Sequence, residues 1–259
     1  MGSEILLRED SDGVCYLTLN RLDAYNALSM EMMQTLSAEL DKITEDISVR
    51  VVVVRGGGKG FCAGHDLKQM LGEGEEAYYQ ATFDTCSELM QRIVNLPVPV
   101  IAQVHGVATA AGCQLVASCD LAVSADNARF ATPGVNIGLF CSTPMVALTR
   151  AVAPKHAMEL LLLGDLISAD RAEQMGLVNW VVAAEELEGY VATVAGKIAS
   201  KSRKTLSIGK QAFYKQREQT LAEAYSSCAR VMTNNMLTDD AQEGIDAFIT
   251  KRKPNWNHH

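Results

Sequence analysis

The chain lacks the marks of several large protein classes. No apolar run approaches the roughly 18 residues needed to cross a membrane as a helix. Met1-Gly2-Ser3-Glu4 shows no basic segment followed by an apolar one, so no secretory leader is expected. Basic residues are in deficit, with Lys+Arg 23 against Asp+Glu 31 and a formal net charge of -8. A general nucleic-acid binder would need the opposite balance. None of the seven cysteines forms a CxxC pair, and the five histidines make no i,i+4 pair beside a carboxylate. Reduced, buried thiols are expected, and no metal site. The Gly-rich stretches match neither the phosphate loop ending Gly-Lys-Ser/Thr nor the dinucleotide GxGxxG.

What is present is a globular chain of 259 residues, 48% hydrophobic and 21% charged. That length buries a large core without disulfide or metal staples. Residues 4–10 and 13–19 alternate around Asp12-Gly13 and predict a hairpin. Asn20 to Ala27 reads as a polar loop. Ser29 is placed to cap a helix running to about Asp46, with Leu36, Leu40 and Ile43 as its buried stripe. Val51-Val52-Val53-Val54 reads as a strand buried on both faces, hence parallel and covered by helices. Residues 76–95 predict a helix. Val98 to Val104 and Asp120 to Ser124 predict further strands, with a helix ending near Ser118 between them. Beyond about residue 143 the chain reads as helical, except for one strand in Leu177 to Val182. Alternating strands and helices indicate an α/β fold with parallel pairing. No linker of Pro, Ser or Gly repeats divides the chain. The expected organisation is an α/β core over 1–200 and a helical region over 201–259.

Two loops carry the chemistry. Gly60-Phe61-Cys62-Ala63-Gly64-His65-Asp66-Leu67 follows one buried strand, and Gly106 to Gly112 follows another. Both use small residues where the backbone turns tightly or approaches a ligand. Both place backbone N–H groups at a helix start, where unpaired donors and the dipole favour negative charge. Two such loops on neighbouring strands can aim two N–H groups at one oxygen, which is how an oxyanion hole holds an enolate. Plain structural turns after parallel strands are the alternative.

Taken in order, these segments resemble the enoyl-CoA hydratase/isomerase (crotonase) superfamily. The matching stretches are Asn20-Arg21 with Asn26-Ala27-Leu28, then Gly60 to Leu67, Pro97 to Gly106 and Ala110 to Asp120. They continue through Phe130-Ala131-Thr132-Pro133 with Asn136-Ile137-Gly138 to Glu243-Gly244, Phe248 and Lys251-Arg252-Lys253-Pro254. Within the superfamily, Ala111 to Asp120 and Asn136 to Pro144 resemble the group called enoyl-CoA hydratase domain-containing protein 3.

The resemblance implies a crotonase-like spiral of ββα units with a C-terminal helical trimerisation region. It implies an acyl-CoA ligand, with coenzyme A as part of the substrate and no separate cofactor. Assembly as a homotrimer or dimer of trimers follows from it, in the cytoplasm or, after removal of a transit peptide, the mitochondrial matrix. The backbone N–H groups of His65 and Ala111 match the oxyanion hole. Ala63, His65, Asp66, Leu67 and Lys68 match the segment that holds the acyl-CoA. Phe248 and Lys251 match positions where one subunit touches the CoA of the next.

The sequence departs from the family's hydratases at two positions. The glutamate that opens the helix after the second loop is Gln114 here, and the one after the Pro of Phe-x-x-Pro is Gly134. Hydration needs carboxylates to activate water and move a proton, and a neutral amide does neither. His65, whose side-chain type titrates near neutrality, the Cys141 thiol and Ser142 hydroxyl, and Asp120 at a strand start are the candidate substitutes; packing or other structural roles are the alternative for each. Restoring both carboxylates, Gln114→Glu with Gly134→Glu, is expected to confer hydratase activity. The segments around His65, Thr132 and Lys251 also resemble methylmalonyl-CoA decarboxylases of the family, whose reaction needs no strong base. The polar aromatic expected near Cys141 is missing, the nearest aromatic being Phe140. Arg55, Lys59, Lys68 and the Lys251-Arg252-Lys253 cluster are the candidate contacts for CoA phosphates. Three readings remain open: an acyl-CoA enzyme, a non-catalytic acyl-CoA binder, and a structural oligomer.

Overall fold

A computed structural model describes residues 4–258. The expectation about the N-terminal leader rests on Met1 to Ser3, outside the described residues, as does His259.

The chain opens with β1 (Leu6–Ser11) and β2 (Val14–Leu19), an antiparallel hairpin turning at Asp12-Gly13. The hairpin is present, but the face expected from Ile5, Leu7, Val14 and Tyr16 is not the one turned to the core. Leu6, Cys15, Leu17 and Leu19 are buried and Leu7 is exposed, so the pairing follows the sequence while the phase of the alternation is corrected by one residue. The helix α1 (Met30–Glu45) starts where Ser29 Oγ accepts the Met32 N–H at 3.2 Å. Its Leu36, Leu40 and Ile43 are buried. Next come β3 (Val51–Gly56), α2 (Leu67–Glu73), α3 (Glu76–Asn95), β4 (Val100–Val104), β5 (Val107–Thr109) and α4 (Ala111–Ser118). Then follow β6 (Leu121–Ala125), β7 (Arg129–Ala131), α5 (Ser142–Ala151), α6 (Pro154–Leu163), β8 (Ile167–Ser168), α7 (Ala169–Met175) and β9 (Trp180–Val182). Four helices finish the chain: α8 (Leu187–Ala199), α9 (Arg203–Gln216), α10 (Leu221–Met236) and α11 (Asp239–Ile249).

The main sheet has the order β1-β2-β3-β4-β6-β9 and is parallel after the first pair. Val51 to Val54 are buried on both faces. Val52 and Val54 face the core built with α1, α3 and α4, while Val51 and Val53 face α8. This is the packing expected of parallel strands sandwiched by helices. A second, three-stranded sheet, β5-β7-β8, stacks small segments beside the first.

Three further details differ from the sequence reading. The strand expected from Val98 begins at Val100, after the two prolines Pro97 and Pro99, the second of which cannot donate to a ladder. The small sheet was invisible as strands, because segments of two or three residues carry no measurable period and take their pairing from distant partners. One of them, β8, adds a strand to the region expected to hold only one. The loop from Asn20 is also more than polar. Tyr25 and Asn26 are left-handed, at φ 48° and 56°. Asn26 is fully buried, and its amide donates to Gly57 O and Gly60 O at 2.9 and 2.8 Å. Asparagine tolerates this backbone and bonds locally, so the residue clamps the glycine loop after β3.

Candidate active site

The two small-residue loops lie at the carboxyl ends of β3 and β4, adjacent parallel strands, where ligands bind in open α/β sheets. They run side by side as a short irregular ladder. Phe61 N donates to His105 O at 2.9 Å, Cys62 N to Val107 O at 3.0 Å, and Thr109 N to Cys62 O at 2.9 Å. Thr109 Oγ1 adds a bond to Ala63 O at 3.0 Å. The contact is too close for side chains at Gly64, Gly106 and Gly112; a β-carbon at Gly106 would meet the Lys59 carbonyl. Gly64 has φ +100°, and a β-carbon there would lie 2.8 Å from Ala110 Cβ and 3.3 Å from Ala111 N. A β-carbon at Gly112 would collide with the Cys62 carbonyl.

The backbone at Ala110 is strained, at φ 51° and ψ -117°. A non-glycine residue there costs on the order of 1–3 kcal/mol and persists only when its surroundings hold it. Here Ala110 N donates to Ala131 O at 2.9 Å, and Ala110 O accepts from Gln114 N at 3.0 Å. The consequence falls on Ala111, the first residue of α4, whose N–H donates to no backbone carbonyl among the described residues. The His65 N–H likewise has none, although its neighbours are tied on both sides. Leu28 N donates to Gly64 O at 2.7 Å, and Asp66 N donates to Leu28 O at 3.2 Å.

The remaining site residues fall into distinct situations. Asp66 is committed to structure: it caps α2 by accepting from Gln69 N at 3.1 Å and pairs with Arg21 at 2.7 Å. The Arg21 guanidinium holds its carboxyl below the usual carboxylate range. Ala63 is bonded to Tyr25 O, whereas Leu67 and Lys68 are exposed on α2. The His65 ring lies edge-on to Phe83, with centroids 5.6 Å apart. Burial pushes its pKa down, with the Leu28 backbone opposing part of the effect.

Gln114 is buried one turn into α4, with the Cys86 thiol donating to Oε1 at 3.8 Å. It lines a cavity of about 870 Å³ between α3, α4, α5 and α9, together with Met90, Val94, Val146 and Phe213. His65 and Ala111 do not line it. Gly134 is buried in a 3₁₀ turn over Pro133–Ile137. A β-carbon there would meet the Leu139 carbonyl and lie 2.8 Å from Cys141 Sγ. The second carboxylate position is therefore closed, and the expected gain of function from Gln114→Glu with Gly134→Glu does not fit this packing. Cys141 is buried and burial raises its pKa, so little thiolate forms near neutrality.

The structure does not bring Phe248 and Lys251 to these loops within one chain. Phe248 is 85% exposed at the end of α11, which packs chiefly on α9 and α10. Two of the candidate phosphate contacts are otherwise engaged. Arg55 pairs with Glu9 and Glu188 and stacks on Tyr16. Arg252 pairs with Glu243 and Asp246. Lys59, Lys68, Lys251 and Lys253 remain exposed. Sequence reasoning missed Asn26 and Ala110 as the residues that position the loops. Only Asn26, an asparagine in the polar loop from Asn20 to Ala27, carried a signal in the sequence.

The model of the enoyl-CoA hydratase/isomerase family matches residues 9–259. The rat mitochondrial enoyl-CoA hydratase domain-containing protein 3 is 48% identical over 247 residues, 95% of this chain and 82% of that protein. A crystal structure of an enoyl-CoA hydratase from Mycobacterium smegmatis superposes with a TM-score of 0.96 at 49% identity, covering 98% and 99% of the two chains. The human enoyl-CoA hydratase domain-containing protein 3 gives 0.95 at 46% identity, covering 98% and 100%. With its strand order, its paired loops and these matches, the chain belongs to the enoyl-CoA hydratase/isomerase family and has the crotonase fold.

Proposed function

We propose that the protein binds an acyl-CoA thioester and stabilises its enolate between the backbone N–H groups of His65 and Ala111, without the two glutamates of a hydratase. The observation that carries this reading is the pair of unbonded N–H groups on loops in van der Waals contact, with the Ala110 strain setting the direction of one of them. Such fixed donors act on charge developing at the thioester oxygen. Gln114 stands where a carboxylate would be and can orient a carbonyl or water. The missing carboxylates, with the space at Gly134 closed, favour chemistry that needs no carboxylate base, such as decarboxylation, over hydration. A binder without turnover is the competing reading.

CoA brings phosphate charge to a protein of net charge -8, so local cations must dominate. Lys59 and Lys68 beside the first loop are the proposed contacts, with Lys251 offered from a neighbouring subunit. Leu237, Phe248 and Ile249 are exposed on or next to α10 and α11, which supports the proposed homotrimer or dimer of trimers. No helix among the described residues is long and apolar enough to cross a membrane. Seven free cysteines and relatives named as mitochondrial support a reducing compartment, the matrix or the cytoplasm.

Calorimetry with CoA and butyryl-CoA tests binding, and no heat up to millimolar ligand overturns the proposal. Turnover of enoyl-, malonyl- and methylmalonyl-CoA then separates enzyme from binder. Ala111→Pro deletes one donor at the first helical position; because proline disfavours the conformation Ala110 holds before it, the variant is read only where circular dichroism and Tm match the wild type. Whichever thioester is turned over, this variant is expected to lose about 10²–10³-fold in kcat.

A further inference from the structure

The last helix is fastened by polar contacts with the chain's own end rather than by a buried apolar stripe. Of α11 only Asp240 and Ala247 are buried, while Ile245, Phe248 and Ile249 are exposed. Helices in proteins are held in place chiefly by packing one face, and α11 has little of it. Beyond Ile249 the chain reverses at Lys251, left-handed at φ 57°, and runs back antiparallel to α11. Arg252 pairs with Glu243 and Asp246. Asn255 N donates to Glu243 Oε1 at 2.7 Å. Asn257 N and His258 N donate to the two oxygens of Asp240, at 2.6 and 3.1 Å. Between these bonds the Trp256 indole lies against Gly244, where a β-carbon would come 2.9 Å from the ring. Glycine is unfavourable inside a helix, and here it makes room for the indole.

The same tail grips the turn between α8 and α9. Trp256 Nε1 donates to Ser200 O at 2.9 Å, and Arg203 N donates to His258 Nδ1 at 3.2 Å. Ser202 Oγ donates to Asp240 Oδ2 at 2.5 Å. Asp240, 2% exposed, thus gathers three hydrogen bonds, two from the tail and one from the turn. Hydrogen bonds to a charged acceptor are the strong kind, and a carboxylate without them would be costly to bury. We propose that residues 252–258 form a clasp that fixes α11 against the α8–α9 turn, and that α11 opens as an arm, separately from the sheet, when the clasp is released. The arm carries Phe248, and Lys251 stands at its end, so the clasp sets where these two residues are presented. The clasp is independent of whether the chain binds an acyl-CoA.

Hydrogen exchange followed by mass spectrometry on the full chain tests this. Asp240→Asn keeps the shape and removes the charge that gathers the three bonds. It should speed exchange of the α11 amides at least about tenfold, the loss of one charge-assisted bond, and leave β3 and β4 unchanged. Asp239→Asn, exposed in the same first turn, controls for the helix dipole and should speed it at most about fivefold. Gly244→Ala displaces the indole and should act like Asp240→Asn, although alanine by itself favours the helix. With Trp180→Phe as background, Trp256 is the only tryptophan. Its emission should shift to the red in both clasp variants, and an unchanged spectrum counts equally against the clasp. No gain in α11 exchange in one or both clasp variants, a gain matched by Asp239→Asn, or a gain shared by β3 and β4 would each overturn the proposal. A variant that fails to fold belongs to the last of these outcomes.

Discussion

Single residues decide what chemistry this site permits. At Gly134 the absent side chain is not an empty place waiting for a carboxylate. The Leu139 carbonyl and the Cys141 thiol already occupy the space a β-carbon would take. Gly134→Glu is therefore expected to destabilise the fold by more than the 1–3 kcal/mol typical of an overpacked site, since a backbone carbonyl yields less than a side chain. Urea denaturation measures this. Gln114→Glu alone should fold but hydrate crotonyl-CoA no faster than the wild type. A hydratase gained with Gly134→Glu would show that the 133–141 segment rearranges, and one gained with Gln114→Glu alone would show that a single carboxylate suffices. Ala110 offers the opposite case. Ala110→Gly relieves a left-handed backbone and should leave stability equal or up to about 1 kcal/mol higher, despite the added freedom of the unfolded chain. If the strain aims the Ala111 N–H, the same variant loses affinity for a bound enolate analogue while its Tm holds.

Elements are held to one another by a few buried polar contacts, and these are where the helical C-terminal region meets the sheet. Lys210 on α9 is 8% exposed, and its Nζ donates to Ile93 O at 2.9 Å and Val98 O at 3.0 Å while pairing with Asp120 at 2.7 Å. Asp120 also accepts from Tyr214 Oη and from Val100 N. Burial lowers the Lys210 pKa while Asp120 opposes the shift. Removing one member leaves the others buried and unpaired. Lys210→Met should thus cost about 3–5 kcal/mol and Tyr214→Phe about 1 kcal/mol, both read from denaturant midpoints. At the start of α2, the depressed pKa of Asp66 makes its contribution pH-dependent. Its carboxylate stabilises above the unfolded pKa near 4, and that stability is lost as pH falls through the lower folded value. Asp66→Asn should lower Tm at pH 7 and flatten the fall in Tm below about pH 4.

At the scale of the whole molecule, the sequence is legible where a pattern is long and local. The hairpin at Asp12-Gly13, the Ser29 cap, the valine strand and the helix over 76–95 each follow from period, cap or composition within one window. The small sheet does not, because β5, β7 and β8 are too short to show a period and exist through partners 20 or more residues away. The two loops were legible as loops, but their contact was not. It depends on Gly64 meeting Ala110, and on Asn26 clamping the glycine turn from the other side. Likewise, counting cations could not reveal that Arg55 and Arg252 are already paired. The exposed apolar surface of the last two helices is the remaining imbalance. Leu237 and Phe248 are 78% and 85% exposed, with Leu221, Tyr225 and Ile249 also above two thirds. Surface of this kind on a folded chain marks an interface, and the family resemblance makes a second and third copy of this chain the proposed occupants. Light scattering on the wild type should give a mass of at least three 28.0 kDa chains. Leu237→Asp with Phe248→Asp should yield monomers that keep the fold by circular dichroism, because neither side chain is part of the buried core. A monomeric wild type would refute the assembly and leave Lys251 with no neighbouring site to serve.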